Sequence, residues 1–195
     1  MTMTEVDEER RKRIRQLLPE IDLVHDKKLQ EKIVEAWLAA WCRGNYRNLE
    51  KAPFGTSTPN FNLIEHVRAT TKIAVQMATV IQSTYNVRTN LDTLVTACLL
   101  HDIDKVAMYK EDRKGIHVKT EAGEMFPHGF LGAHIAWNIG LSDDVVHMIA
   151  THSPSSPLLP NTTEGVIAVY ADLAAADCII LLSKSKLLLG RLKST

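Results

Sequence analysis

Along most of the chain apolar positions recur three and four residues apart, and no stretch sustains the strict alternation that marks a strand. The pattern predicts an all-α protein. The first predicted helix is capped by Thr4 and sets Glu5, Asp7, Glu8 and Glu9 ahead of Arg10, Arg11, Lys12, Arg13 and Arg15, the charge order that a helix dipole favours. Its basic end reads as a solvated face. A second helix runs from Asp26, repeats Leu29, Ile33, Val34, Trp37, Leu38 and Trp41 as core positions, and stops near Gly44. Residues 45–61, with Pro53, Gly55 and Pro59, break the pattern and read as a loop. They join an N-terminal helical extension, residues 1–60, expected to pack on the core, to a main helical domain, residues 61–195, and the two are expected to form one structural unit. A third helix opens at Asn62, with Glu65 placed to reach back to the cap, and carries His66, Ile73, Met77 and Val80 on one stripe. A fourth, capped near Asn90, passes through Leu91, Leu94, Val95, Cys98 and Leu99 into "LLHDIDK".

The second half follows the same logic. Residues 110–127 are polar and contain glycine, and so long an excursion is expected to act as a lid or substrate-recognition segment. A helix from about His128 would align that residue with Leu131, Ile135 and Ile139, leave His134 on the flank beside Asn138, and end at Gly140. The next, capped by Ser142, places His152 with Val145, Met148 and Ile149, and turns His147 outward with Asp143, Asp144 and Thr151. The last long helix, Glu164 to about Leu182, is apolar on nearly every side and should be buried, yet it contains Asp172 and Asp177. These two lie about 140° apart on an ideal helix, so only one of them can face a given point.

Composition adds exclusions. Lysine plus arginine and aspartate plus glutamate balance at 23 each, so no global field favours a nucleic acid duplex or an anionic membrane. A chain of 195 residues buries around 70 per cent of its unfolded surface, enough to enclose a dry site. Cys42, Cys98 and Cys178 sit in apolar helical patterns and read as buried thiols of a reducing compartment rather than a disulfide framework. The N-terminus is too charged for a signal peptide and no apolar stretch reaches the roughly 18 residues of a membrane span, so a soluble cytoplasmic protein is expected. Whether copies of the chain associate is left open.

The anomaly is a set of costly groups on inward faces: His66, His101, Asp102, His128, His152 and one of the two late aspartates. A carboxylate or imidazole inside a helical core must be paired, hydrogen-bonded or bound to metal. Six converging on one core point to metal, and nitrogen and oxygen donors without thiolate suit one or two divalent ions drawn from Mn, Fe, Zn, Co, Ni or Mg.

The order of these residues carries a resemblance. His66, the doublet His101-Asp102 in "LLHDIDK" and a later aspartate in "YADLAAAD" resemble the HD-domain superfamily of metal-dependent hydrolases, and "HGFLGAH" and "IATHSP" resemble the additional histidine motifs of its binuclear members. The resemblance implies a compact all-α helical bundle. It implies that His66, His101, Asp102 and Asp172 hold one metal and that Asp102 bridges to a second held by His128 and His152, leaving Asp177 a structural acid. The implied activity is hydrolysis of a phosphate ester of a nucleotide or another small phosphorylated metabolite by a metal-activated water. Asp102 and Lys105 are then the catalytic pair, and Lys105 and Lys119 are substrate-binding cations, with Lys110, Arg113 and Lys114 available for further anion contacts. Two alternatives stand beside it: a di-iron oxygenase acting on a small hydroxylated substrate, and a non-catalytic ligand-binding module. One departure is Asp104, where many relatives have glycine; its carboxylate is expected either to repel an anionic substrate or to orient Lys105.

Overall fold

The structure is a computed structural model that describes residues 5–58 and 60–192, so the Thr4 cap and Pro59 lie outside the described residues. In chain order the helices are α1 (Glu5–Leu17), α2 (Lys27–Arg43), α3 (Leu63–Tyr85), α4 (Leu91–Leu100), α5 (Lys105–Met108), α6 (Glu121–Met125), α7 (Phe130–Asn138), α8 (Asp143–Thr151), α9 (Thr163–Leu182) and α10 (Leu189–Leu192). Between α5 and α6, β1 (Tyr109–Glu111) pairs antiparallel with β2 (His117–Lys119), Lys110 opposite Val118. The fold is mostly α, as the periodicity predicts. The hairpin corrects the absence of strands: each strand has three residues, too short for alternation to register.

Helix starts follow the sequence signals closely. Asp26 accepts from the backbone N–H of Lys28 and Leu29, Asn62 from Glu65, Asn90 from Thr93 and Ser142 from Val145, each side chain satisfying a donor that the first turn leaves free. Two expectations shift. On α3 the buried face is Leu63, Ile64, Val67, Thr70, Thr71, Ala74 and Ala78, whereas Ile73 and Met77 are half-buried and Val80 is 60% exposed. The face turns because α3 packs most extensively on α9, whose buried residues include Ala168, Ala171, Ala175 and Ala176. Small side chains bring these two helices together, and hydropathy underrates them. The second shift is at α7, which starts at Phe130 and not at His128, because Gly129 is in the left-handed region with φ 89°.

The N-terminal helices share one apolar core with the rest, Ile14, Trp37 and Trp41 joining Leu94, Leu99, Val145 and Ile149. Hydrogen bonds to three acceptors fix them to the helices that carry the site. Trp37 Nε1 donates to Leu99 O at 3.0 Å in the last turn of α4. Asp92, in the first turn of α4, accepts from the N–H of His25 and of Asp26 at 2.9 and 3.0 Å. Buried Glu20 accepts from Arg68 of α3 at 3.0 Å. Residues 45–61 are accordingly packed rather than a loose connector: Leu49, Ala52, Phe54 and Thr58 are buried, and Pro53 bridges Asn62.

Cys98 is buried, but Cys42 and Cys178 are exposed, which corrects the reading of three buried thiols. They lie on the outer faces of α2 and α9, where a small residue is tolerated without being core. Among the described residues α9 is long and apolar enough, with mean hydropathy 2.0, to cross a membrane by length and composition, contrary to the expectation from the sequence. Half of that window is buried against the protein, and the helix carries Asp172 into the core.

Candidate metal centre

Four elements and one turn deliver the polar groups to a single point. His66 comes from the first turn of α3, His101 and Asp102 from the C-terminal end of α4, His152 from the C-terminal end of α8, Asp172 from the middle of α9, and His128 from the turn before α7. His66, His101 and His152 are each 3% exposed, Asp102 1% and Asp172 6%. Potential ligand atoms of His66, His101 and Asp102, of Asp102, His128 and His152, and of His101, His152 and Asp172 lie within 4.8 Å of one another in each set.

The two oxygens of Asp102 divide the cluster into two poles. Oδ2 is 3.3 Å from His66 Nε2 and 3.4 Å from His101 Nε2, and Asp172 Oδ1 closes this inner pole at 3.0 and 3.5 Å from the same nitrogens. Oδ1 faces the outer pole, 2.9 Å from His128 Nε2 and 3.5 Å from His152 Nε2. One carboxylate thus faces both sets, as a bridging ligand must. Asp177 goes elsewhere: its oxygens accept from the N–H of Leu188 and Leu189 at 2.6 and 3.0 Å, the structural role expected of it.

Outer hydrogen bonds aim the rings. His101 Nδ1 lies 2.7 Å from Cys98 O and His152 Nδ1 lies 2.8 Å from Ile149 O, carbonyls of final helical turns left free where α4 and α8 end. His128 Nδ1 lies 3.1 and 3.3 Å from the two oxygens of Asp104. A ring that donates from Nδ1 presents a lone pair at Nε2 when neutral. Yet His66 and His101 bring Nε2 atoms to 3.2 Å, and His128 and His152 to 3.0 Å. At the outer pair, where both rings donate from Nδ1, facing lone pairs at that separation need a cation, either a proton or a metal; at the inner pair His66, whose Nδ1 is buried without a partner, can also donate from Nε2 to His101. Asp102 Oδ1 is likewise buried without a hydrogen-bond donor. The donor set and this crowding fit divalent metal.

Without metal, protons take that place. Burial opposes charge on His101, but Asp102 and then Asp172 outweigh it and push its pKa up to about 10. His128, between Asp104 and Asp102, is pushed up to about 9 against the same desolvation. His152 goes down, since burial and the charges of His128 and His101 outweigh Asp102. Burial pushes Asp102 and Asp172 up, yet Lys105 and His101 for the one, and His101 and His66 for the other, hold both below the usual carboxylate range.

Lys105, 8% exposed, places Nζ 2.7 Å from Asp102 Oδ2 and 4.0 Å from the centre of the Phe54 ring. The ring also covers His66 at 4.2 Å between centroids. Phe54 gave no signal in the sequence, because it lies in an aperiodic loop. Beyond it opens a cleft of about 550 Å³, within the range of small-molecule sites, lined by Asp102, Lys105, His128, His152 and Asp172 at its floor. Tyr109, Lys119, Phe126 and Ser153 form part of its wall, and Lys186 adds a cation that the sequence reading did not single out. Of the expected cations in the excursion, Lys119 lines this cleft and lies 3.8 Å from Glu124, whereas Lys110 lines a separate depression and Arg113 and Lys114 line neither. The excursion contributes through Lys119 of β2, α6 and residues 126 and 127. Asp104 corrects its own expectation. It is fully buried and meets His128 and the Gly129 N–H, so among these contacts it neither faces the cleft nor orients Lys105.

Comparison with known proteins accords with this geometry. The model of the HD domain matches residues 63–177. The dihydroneopterin 2',3'-cyclic phosphate phosphodiesterase of Methanocaldococcus jannaschii is 36% identical over 115 residues, 56% of this chain and 44% of that protein. The chain therefore spans less than half the length of that relative. No solved structure matches the chain. Because the matched segment, more than half of the chain, contains both poles of the cluster, the chain belongs to the HD-domain family.

Proposed function

We propose that this protein is a divalent-metal-dependent phosphoester hydrolase acting on a small phosphorylated metabolite. The observation that carries the reading is the crowding of imidazole Nε2 atoms around a two-faced Asp102, at the floor of a cleft that also holds Lys105. His66, His101, Asp102 and Asp172 would hold one ion, and Asp102, His128 and His152 a second. Bound divalent metal lowers the pKa of coordinated water towards neutrality and offsets charge on phosphoryl oxygens. The protein's own groups supply the rest. Asp102 keeps the two poles in register, and the Nδ1 contacts of His101 and His152 hold their rings without rotation. Lys105, raised above its ordinary pKa by Asp102 against the opposing effect of burial, stays cationic and can contact a phosphate oxygen. Lys119 and Lys186 can meet further anionic groups, while Phe54, Tyr109 and Phe126 offer apolar surface to the organic part of the substrate. The name of the archaeal relative supports a phosphodiester, and within that class a cyclic phosphate, as the first substrate to try.

Metal analysis of the purified protein, followed by a panel of phosphomonoesters, linear phosphodiesters and 2',3'-cyclic phosphates with the matching metal, tests the reading. Hydrolysis by the wild type and its loss in Asp102→Ala is the expected result. Equal turnover by both proteins overturns it.

A further inference from the structure

His128 differs from the other histidines of the cluster in what holds it. His101 and His152 lean on backbone carbonyls fixed by their own helices. His128 lies outside any helix, in a turn whose next residue, Gly129, has φ 89°. A Cβ on Gly129 would come within 2.8 Å of Ile149 O, so the turn is pressed against the end of α8 and accepts no side chain. Asp104 spans this turn. One oxygen lies 3.1 Å from His128 Nδ1, and the other lies 3.3 Å from it and accepts from Gly129 N at 2.6 Å. The carboxylate is fully buried on the chain turn that also carries Asp102, so His128 is held between two acids, Asp104 behind it at Nδ1 and Asp102 in front at Nε2. The His128 ring thus meets a carboxylate side chain where the His101 and His152 rings meet backbone carbonyls.

We propose that Asp104 is a positioning residue for the outer pole: it aims His128 and raises its donor strength, and so sets the affinity of the second divalent ion without touching that ion. The inference rests on the reading of the cluster as a metal centre. A carboxylate behind a ligating histidine fixes ring orientation and basicity, and its loss costs about 10- to 100-fold in metal affinity. Asp104 makes no hydrogen bond or ion pair with His66, His101 or Asp172 among those described, and its tie to the inner pole is repulsion with the shared Asp102. The effect is therefore selective. A glycine at this position leaves the inner pole its ligands and removes the support of the outer one.

The test is calorimetric titration of Mn²⁺ into the chelator-treated full chain, comparing wild type, Asp104→Gly, Asp104→Asn and His128→Ala. His128→Ala identifies the phase that belongs to the outer ion. The expected result is that Asp104→Gly weakens that phase by about 10- to 100-fold and leaves the other phase unchanged. Asp104→Asn keeps an oxygen acceptor without the charge and falls between; it carries the test if the glycine variant does not fold, as judged by metal-free thermal melts. Wild-type affinities at both phases in a folded variant overturn the proposal. Equal weakening of both phases also overturns it, since a merely structural acid would not separate them. Uptake of a single ion by the wild type overturns the proposal and the binuclear reading together, whereas failure of the phosphoester panel alongside a selective loss sinks only the hydrolase reading.

Discussion

The inner and outer poles share one carboxylate but are built from different materials. His66, His101 and Asp172 sit in or at the end of three packed helices, and their side chains are between 1% and 8% exposed. His128 is held by a glycine turn and a buried acid, with its side chain 25% exposed towards the cleft. Helical backbone fixes a side chain through a ladder of hydrogen bonds and close packing, whereas a turn fixes one only through the specific contacts made there. The inner pole is thus a property of the fold. The outer pole takes His152 from the end of α8 but depends for His128 on a few atoms of a turn, which makes it the more adjustable of the two.

The largest test removes what the poles share. Asp102→Asn should abolish both, with metal content falling and turnover reduced on the order of a thousandfold, the equivalent of several kcal/mol of charge stabilisation. Retained binding at one pole would show that Asp102 belongs to the other alone. Lys105→Met should separate the loaded protein from the metal-free one. Without metal, Asp102 loses its 2.7 Å partner and the melt should report a destabilisation of about 3 kcal/mol or more. Metal should restore most of that loss, and a deficit that persists in the loaded variant would mean that Lys105 supports the fold rather than the charge.

Protonation offers a middle-sized test. His101 and His128 have metal-free pKa values of about 10 and about 9, raised from an unfolded value near 6.5. Their stabilisation of the metal-free protein is therefore complete below about pH 6.5 and lost as pH rises through 9 to 10. The metal-free melting temperature should fall across that window while the loaded protein stays level, and metal uptake at pH 7 should release protons, read as a buffer-dependent heat of binding. The smallest effect concerns the scaffold of the inner pole. Trp37→Phe strands the buried Leu99 carbonyl at the end of α4 and should lower stability by about 1 to 3 kcal/mol, without the selective loss of the outer ion expected from Asp104→Gly.

How much of this was legible in the chain depends on where each residue lies. His152 is on the face that Val145, Met148 and Ile149 announce, and all three are buried. His66 is inward as expected, although the stripe drawn through Val80 was not the buried one, because alanine and threonine line the contact with α9. His128 was expected inward for a different reason from the one that holds: it belongs to no helical stripe, and Gly129 with Asp104 aims it. Phe54, Lys186 and the role of Asp104 were not legible, since each depends on a loop or turn meeting a distant element.

The sequence by itself determined the long helices, their starts at Asp26, Asn62, Asn90 and Ser142, the inward pressure on the histidines and aspartates, and the chemistry of the donor set. Periodicity can do this because it encodes which face of an element is apolar. Only the tertiary structure decided that Asp172 and not Asp177 enters the cluster, that the two oxygens of Asp102 face different poles, and that Asp104 points away from the cleft towards His128. Those outcomes depend on the rotation and spacing of one element against another. Small residues, turns and single hydrogen bonds set these relations, and no repeat along the chain records them.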